Sequence, residues 1–157
     1  MPKSSKKRSA GVLMYRRGAS GLELLLVHPG GPFWKNKDLG AWSIPKGEYA
    51  EGEDPLAVAK RELEEETGAR PSGDFLPLGD VVQGGGKVVT AFALAGDLDP
   101  ATVRSNTFEL EWPPRSGRKA SFPEVDRAQW FSPAEAQAKI LKGQSELIAR
   151  LLRAIGE

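Results

Sequence analysis

The chain has 157 residues, with 22 Lys and Arg against 21 Asp and Glu, one histidine and no cysteine. That length suits one domain around a single core. The lack of cysteine excludes a disulfide scaffold, a thiolate zinc site and a cysteine nucleophile, and the solitary His28 excludes a multi-histidine metal site. No apolar run approaches the roughly 20 residues of a membrane-spanning helix, and no apolar stretch of signal length follows the basic start of the chain. The expectation is a soluble, cytoplasmic protein without a membrane partner.

The net charge of +1 hides blocks. Lys3, Lys6, Lys7 and Arg8 make residues 1–10 strongly basic, whereas Gly47 to Ala69 holds eight acids and two bases. Segregated charge of this kind points to binding. Residues 1–9 have almost no apolar content and read as a disordered basic tail, leaving residues 10–157 as the single domain.

From Ala10 the apolar runs AGVLMY and LELLLVH, separated by the turn signal Arg17 to Gly21, predict a hairpin or neighbouring strands. HPGGPFWKNKDLG is a Gly- and Pro-rich loop, and AWSIP a short strand. Residues 55–67 give the clearest helix, with Asp54 as N-cap, Pro55 in the first turn and Gly68 as the stop. PLGDVVQ and KVVTAFALA predict strands around Gly84 to Gly86. NTFELEW reads as a strand, WPPRSGRKASFP as a second long loop and RAQWF as a short strand. Ser132 opens a helix with capping-box spacing, and SELIARLLRAI closes the chain as an amphipathic helix. The pattern fits a mixed sheet with helices on its faces, an α/β fold.

The helix over 55–67 carries the chemistry. At about 100° per residue, Glu62, Glu65 and Glu66 fall within one arc of roughly 100°, beside an apolar arc of Leu56, Ala59 and Leu63. Like charges at such spacing repel by a few tenths of a kcal/mol per pair. Two readings follow from the residues: a solvated acidic face, or oxygen ligands for a hard cation such as Mg²⁺ or Mn²⁺. Glu53 lies one turn earlier, and Arg61 is placed to bridge carboxylates.

The segment from Gly47 to Ala69 resembles the Nudix box, G-x5-E-x7-R-E-U-x-E-E-x-G-U, with U an aliphatic residue. Gly47, Glu53, Arg61, Glu62, Leu63, Glu65, Glu66 and Gly68 match in register. Only the last position departs, carrying the small Ala69. The preceding WSIPKG is also common in such proteins. The resemblance implies an α/β/α sandwich with the box as a loop–helix–loop. It further implies a pyrophosphohydrolase that cleaves a nucleoside diphosphate linked to another group, X. Glu62, Glu65 and Glu66 would bind Mg²⁺ or Mn²⁺, joined by the carbonyl of Gly47. Arg61 would orient the carboxylates, and Glu53 would be structural or near the metal.

Some members of that family place one more glutamate before a strand containing Trp. Glu124, ahead of Trp130, resembles it and is the candidate extra ligand or general base; Glu109 and Glu111 compete. Lys46 adjoins the box as a candidate phosphate contact, and Arg115, Arg118 and Lys119 form a basic cluster suited to further phosphates or to solvent. Phe33, Trp34 and Trp112 are candidates either for stacking on a base or for packing. Trp42 and His28 read as structural. Side motifs that mark ADP-ribose or dinucleoside polyphosphate hydrolases would need a Pro at Gly85 or a Tyr at Lys87, and neither is present.

The small-molecule reading leans to nucleoside triphosphates or dinucleoside polyphosphates and is compatible with a homodimer. The alternatives are action on an RNA 5′ end through the basic tail, and a non-catalytic binding module, which a complete box disfavours.

Overall fold

The computed structural model describes residues 7–70 and 72–157. Its centre is a six-stranded mixed sheet in the order β4-β5-β1-β2-β8, with β3 paired to β1 off that path. The strands are β1 (Arg8–Gly18), β2 (Gly21–Pro29), β3 (Lys46–Tyr49), β4 (Phe75–Val82), β5 (Val88–Ala95) and β8 (Val125–Phe131). β6 (Thr107–Glu111) and β7 (Lys119–Pro123) form a separate antiparallel hairpin. β1 and β2 make the expected hairpin, closing at Gly18 and Gly21. β1 runs parallel to β5 and antiparallel to β3.

Side chains alternate across β1 and β2 and so supply two cores. Val12, Met14, Leu25 and Val27 meet Val58, Ala59 and Leu63 of α1 (Pro55–Thr67). Leu13, Leu24 and Leu26 meet Trp42, Leu147 and Leu151 on the other face. There lie α2 (Pro133–Lys139), capped by Ser132 and Glu135 in a capping box, and α3 (Glu146–Ala154). The result is the α/β/α sandwich. Trp42 and His28 are both buried; His28 bonds Asp126 at 2.8 Å and the Lys37 carbonyl at 2.6 Å, fastening the 30–39 loop to the sheet.

Three expectations change. The tail does not run to residue 9: Arg8 and Ser9 begin β1, because neighbours on both sides satisfy their backbone whatever their polarity. Residues 1–6, which carry Lys3 and Lys6, lie outside the described residues. AWSIP makes only isolated bridges, Val27 with Ser43 and Trp42 with Ile140; a continuous ladder starts after Pro45, which has no N–H to give. The second long loop is shorter than expected, because Ala120 and Phe122 alternate inward and pair with Leu110 and Phe108. Lys119 is therefore a strand residue.

α1 is held to the sheet by its apolar arc. Leu63→Ala, at a fully buried position, is expected to cost about 2–5 kcal/mol in a denaturant titration.

Candidate active site

α1 begins where Asp54 accepts from the Ala57 N–H at 3.2 Å and ends where Gly68, at φ 80°, donates to the Glu64 carbonyl at 2.7 Å. These caps fix the rotation of the helix, and its burial follows: Glu62 and Glu66 face inward while Lys60 and Glu64 are exposed. Just before the helix, Glu53 accepts from the Ala50 N–H at 2.8 Å. Arg61 lies 3.4 Å from Glu53 and 3.7 Å from Glu62, spanning the two carboxylates as expected. The Ala50 bond, then Arg61, holds Glu53 below the usual carboxylate range.

Gly47 has a steric reason. A Cβ there would collide with the Glu62 carboxyl and stand 2.7 Å from its Cγ. Glu62 therefore lies flat on the β3 backbone. One residue earlier, the Lys46 N–H donates to Glu66 at 3.3 Å. The Lys46 side chain is half-buried, and that burial pulls its pKa down.

Glu124 sits at the junction of β7 and β8. Its N–H donates to the Asn106 carbonyl at 2.9 Å, and its carbonyl accepts from Gly30 at 2.9 Å. The Asn106 N–H in turn donates to the Glu65 carbonyl at 2.8 Å. One backbone unit thus ties the end of α1 to Glu124. Glu66, Glu124 and Lys46 line a cleft of about 320 Å³, with Trp34, Val27 and Leu141 on its apolar walls.

The four glutamates feel one another. Burial, then Glu65, raises Glu62 from 4.5 to about 7, against the partial relief of Arg61. Burial, then Glu62, raises Glu66 to about 8. Glu124 is raised by burial and then by Glu65. The cluster carries more negative charge than its two neighbouring cations offset. Among the described residues, no three acidic or histidine side chains already converge as ligands on one point; glutamate torsions would have to turn to share an ion. The donor set itself, clustered carboxylate oxygens, fits a hard divalent cation.

Other candidates fall elsewhere. Arg115, Arg118 and Lys119 are exposed on the β6–β7 hairpin and do not line the cleft; Lys119 lies 4.0 Å from Glu109. Glu111 accepts from the turn at Arg115 and Gly117. Phe33 and Trp112 pack edge to face with centroids 5.5 Å apart, leaving Trp34 as the aromatic that lines the cleft. Lys87 and Gln83 also line it and were missed. Nothing in their local sequence marks them, since only the fold carries the end of β4 and the start of β5 to the cleft.

The model of the NUDIX domain family matches residues 5–151. An octanoyltransferase of Myxococcus xanthus is 33% identical over 112 residues, covering 71% of this chain and 28% of that protein. An RNA pyrophosphohydrolase of Roseobacter denitrificans is 49% identical over 37 residues, covering 24% of this chain and 23% of that protein. The chain thus spans less than a third of either curated relative. A C. elegans Ap4A hydrolase in a binary complex shares the fold, with a TM-score of 0.67 and 20% identity over 94% of this chain and 98% of that one.

The raised carboxyls set a stability profile. The folded state keeps protons on Glu62 and Glu66 that the unfolded chain releases above its ordinary carboxyl pKa near 4.5. Stability is therefore full below that value and lost as pH rises through about 7 and about 8. In EDTA, thermal melts are expected to show a loss of a few kcal/mol from pH 5 to pH 8.5. Glu66→Gln should flatten that profile and melt above the wild type at the alkaline end.

Proposed function

The chain belongs to the NUDIX domain family, and from that premise we propose that it is a divalent-metal-dependent pyrophosphohydrolase acting on a nucleoside diphosphate linked to X, with nucleoside triphosphates or dinucleoside polyphosphates as the preferred substrates. One observation carries this reading: Glu62 and Glu66 of α1 and Glu124 of a separate segment lie close enough to neighbouring carboxylates for their pKa values to be raised, with Glu66 and Glu124 lining a cleft.

Glu62, Glu65, Glu66 and the Gly47 carbonyl would hold Mg²⁺ or Mn²⁺, with Glu124 as a further ligand or as the base. When bound, the ion supplies positive charge against the phosphate oxygens and makes water at the site more acidic. Arg61 fixes the Glu62 carboxylate through its bridge to Glu53. Glu124, with its backbone pinned by Asn106 and Gly30, takes the proton of the attacking water on its carboxylate. Water adds to phosphorus, the P–O–P bond breaks, and the departing phosphate carries the electron pair. Lys46 is placed to meet the negative charge of the phosphates. Trp34 offers a face to a base.

An assay over nucleoside triphosphates, dinucleoside polyphosphates, nucleotide sugars, ADP-ribose and a 5′-triphosphorylated RNA, with products identified, tests the reading. Turnover is expected with Mg²⁺ or Mn²⁺ and none in EDTA; full activity in chelator would sink the mechanism. Glu124→Gln is expected to lower kcat by about 10²-fold or more, while Glu109→Gln and Glu111→Gln keep most activity. Wild-type turnover by Glu124→Gln would remove that residue from the chemistry.

A further inference from the structure

Two lysines line the cleft beside the glutamates. Lys46 opens β3 and Lys87 immediately precedes β5, so they arrive from strands on opposite sides of β1. Among the described residues, neither has a carboxylate within 4.0 Å of its amine. Glu66 and Glu124 line the same cleft, and Glu66 attracts Lys46, so once a divalent cation engages those carboxylates the two amines favour an anion between them.

Gln83 adds a donor, and its orientation is set by a relay of hydrogen bonds. The Ile44 backbone N–H donates to Gln144 Oε1 at 3.1 Å, which fixes which end of the fully buried Gln144 amide is oxygen. Gln144 Nε2 must then donate to Ser43 Oγ at 2.9 Å and to Gln83 Oε1 at 2.7 Å. The Ser43 hydroxyl donates onward to the Ile44 carbonyl at 2.7 Å, so it is free to accept. Gln83 is thereby left with its NH₂ group for the cleft. Gly143 packs against the Gln83 backbone, where a Cβ would stand 2.7 Å from the Gln83 Cα.

We propose that Lys46, Gln83 and Lys87 form a subsite for a phosphate beyond the cleaved anhydride, which selects substrates with three or more consecutive phosphates over those with two. The inference rests on the pyrophosphohydrolase reading of the same cleft. All three groups are donors, and a terminal phosphate offers acceptor oxygens to each. A two-phosphate substrate occupied at the glutamates has no such group left to present.

Two measurements test it on the full chain. Calorimetry with Ca²⁺ in place of Mg²⁺, a hard cation that engages the carboxylates while supporting little hydrolysis, reads the subsite with inorganic tripolyphosphate and inorganic pyrophosphate. Wild type is expected to bind tripolyphosphate more tightly, with Lys87→Gln weakening it about tenfold and pyrophosphate less. Gln83→Glu, which replaces the donor with a repelling acceptor, is expected to act in the same direction. With Mg²⁺, the ratio of kcat/KM for ATP over ADP-ribose should fall about tenfold in Lys87→Gln. Unchanged tripolyphosphate affinity in both variants overturns the subsite. Absence of turnover by the wild type on any substrate instead overturns the enzymatic reading and leaves the binding result to be judged alone.

Discussion

The closeness of α1 to β3 is the constraint on which the rest of the site depends. Glu62 occupies the space that a side chain at position 47 would need, so the helix and the strand meet with backbone on one side and carboxylate on the other. That contact brings the Lys46 backbone N–H against Glu66. It is sustained by apolar burial: Val58, Ala59 and Leu63 are almost wholly removed from water against β1, β2 and β5. The apolar arc of α1 holds in place an acidic arc that would otherwise turn to solvent.

Burying carboxylates together is unfavourable, and the raised Glu62 and Glu66 measure that tension. The protein relieves only part of it. Arg61 reaches Glu53 and Glu62, and among the described residues it does not pair with Glu66 and the Lys46 amine has no ion pair within 4.0 Å. A structure selected for stability alone would interleave cations here. In the function proposed above, the remaining charge surplus would draw a divalent ion and, through that ion, a polyanionic substrate. Stability and function therefore pull in opposite directions at the same residues.

Much of this was legible in the sequence because it is local. The limits of α1 follow from Asp54, Pro55 and Gly68, and the grouping of Glu62, Glu65 and Glu66 follows from helical periodicity. The bridging place of Arg61 follows from its spacing to Glu53 and Glu62. The less local features were misread. The strand at Lys119 to Pro123 was hidden behind Pro, Gly and charge, because its inward residues are defined only by pairing with β6. The basic cluster of Arg115, Arg118 and Lys119 looked ready for phosphate in the chain, yet the hairpin carries it outside the cleft lining. Arg8 looked like tail, yet β3 and β5 both pair with it.

The sequence alone determined the fold class and the acidic helix with its grouped carboxylates, since periodicity, capping and residue type act within a few turns of backbone. Tertiary structure alone decided which distant residues share the cleft. Glu124 meets the helix because the backbone of Asn106 binds Glu65 and Glu124 together, and Lys87 and Gln83 enter because the connection from β4 to β5 lies across β1 from β3. Trp34, rather than Phe33 or Trp112, lines the cleft because the other two pack on each other. The opening balance of charge, near zero over the whole chain, sums separate acidic and basic blocks. Only the folded chain shows which lysines stand opposite the glutamates, because that depends on how strands pair across the sheet and not on neighbours in sequence.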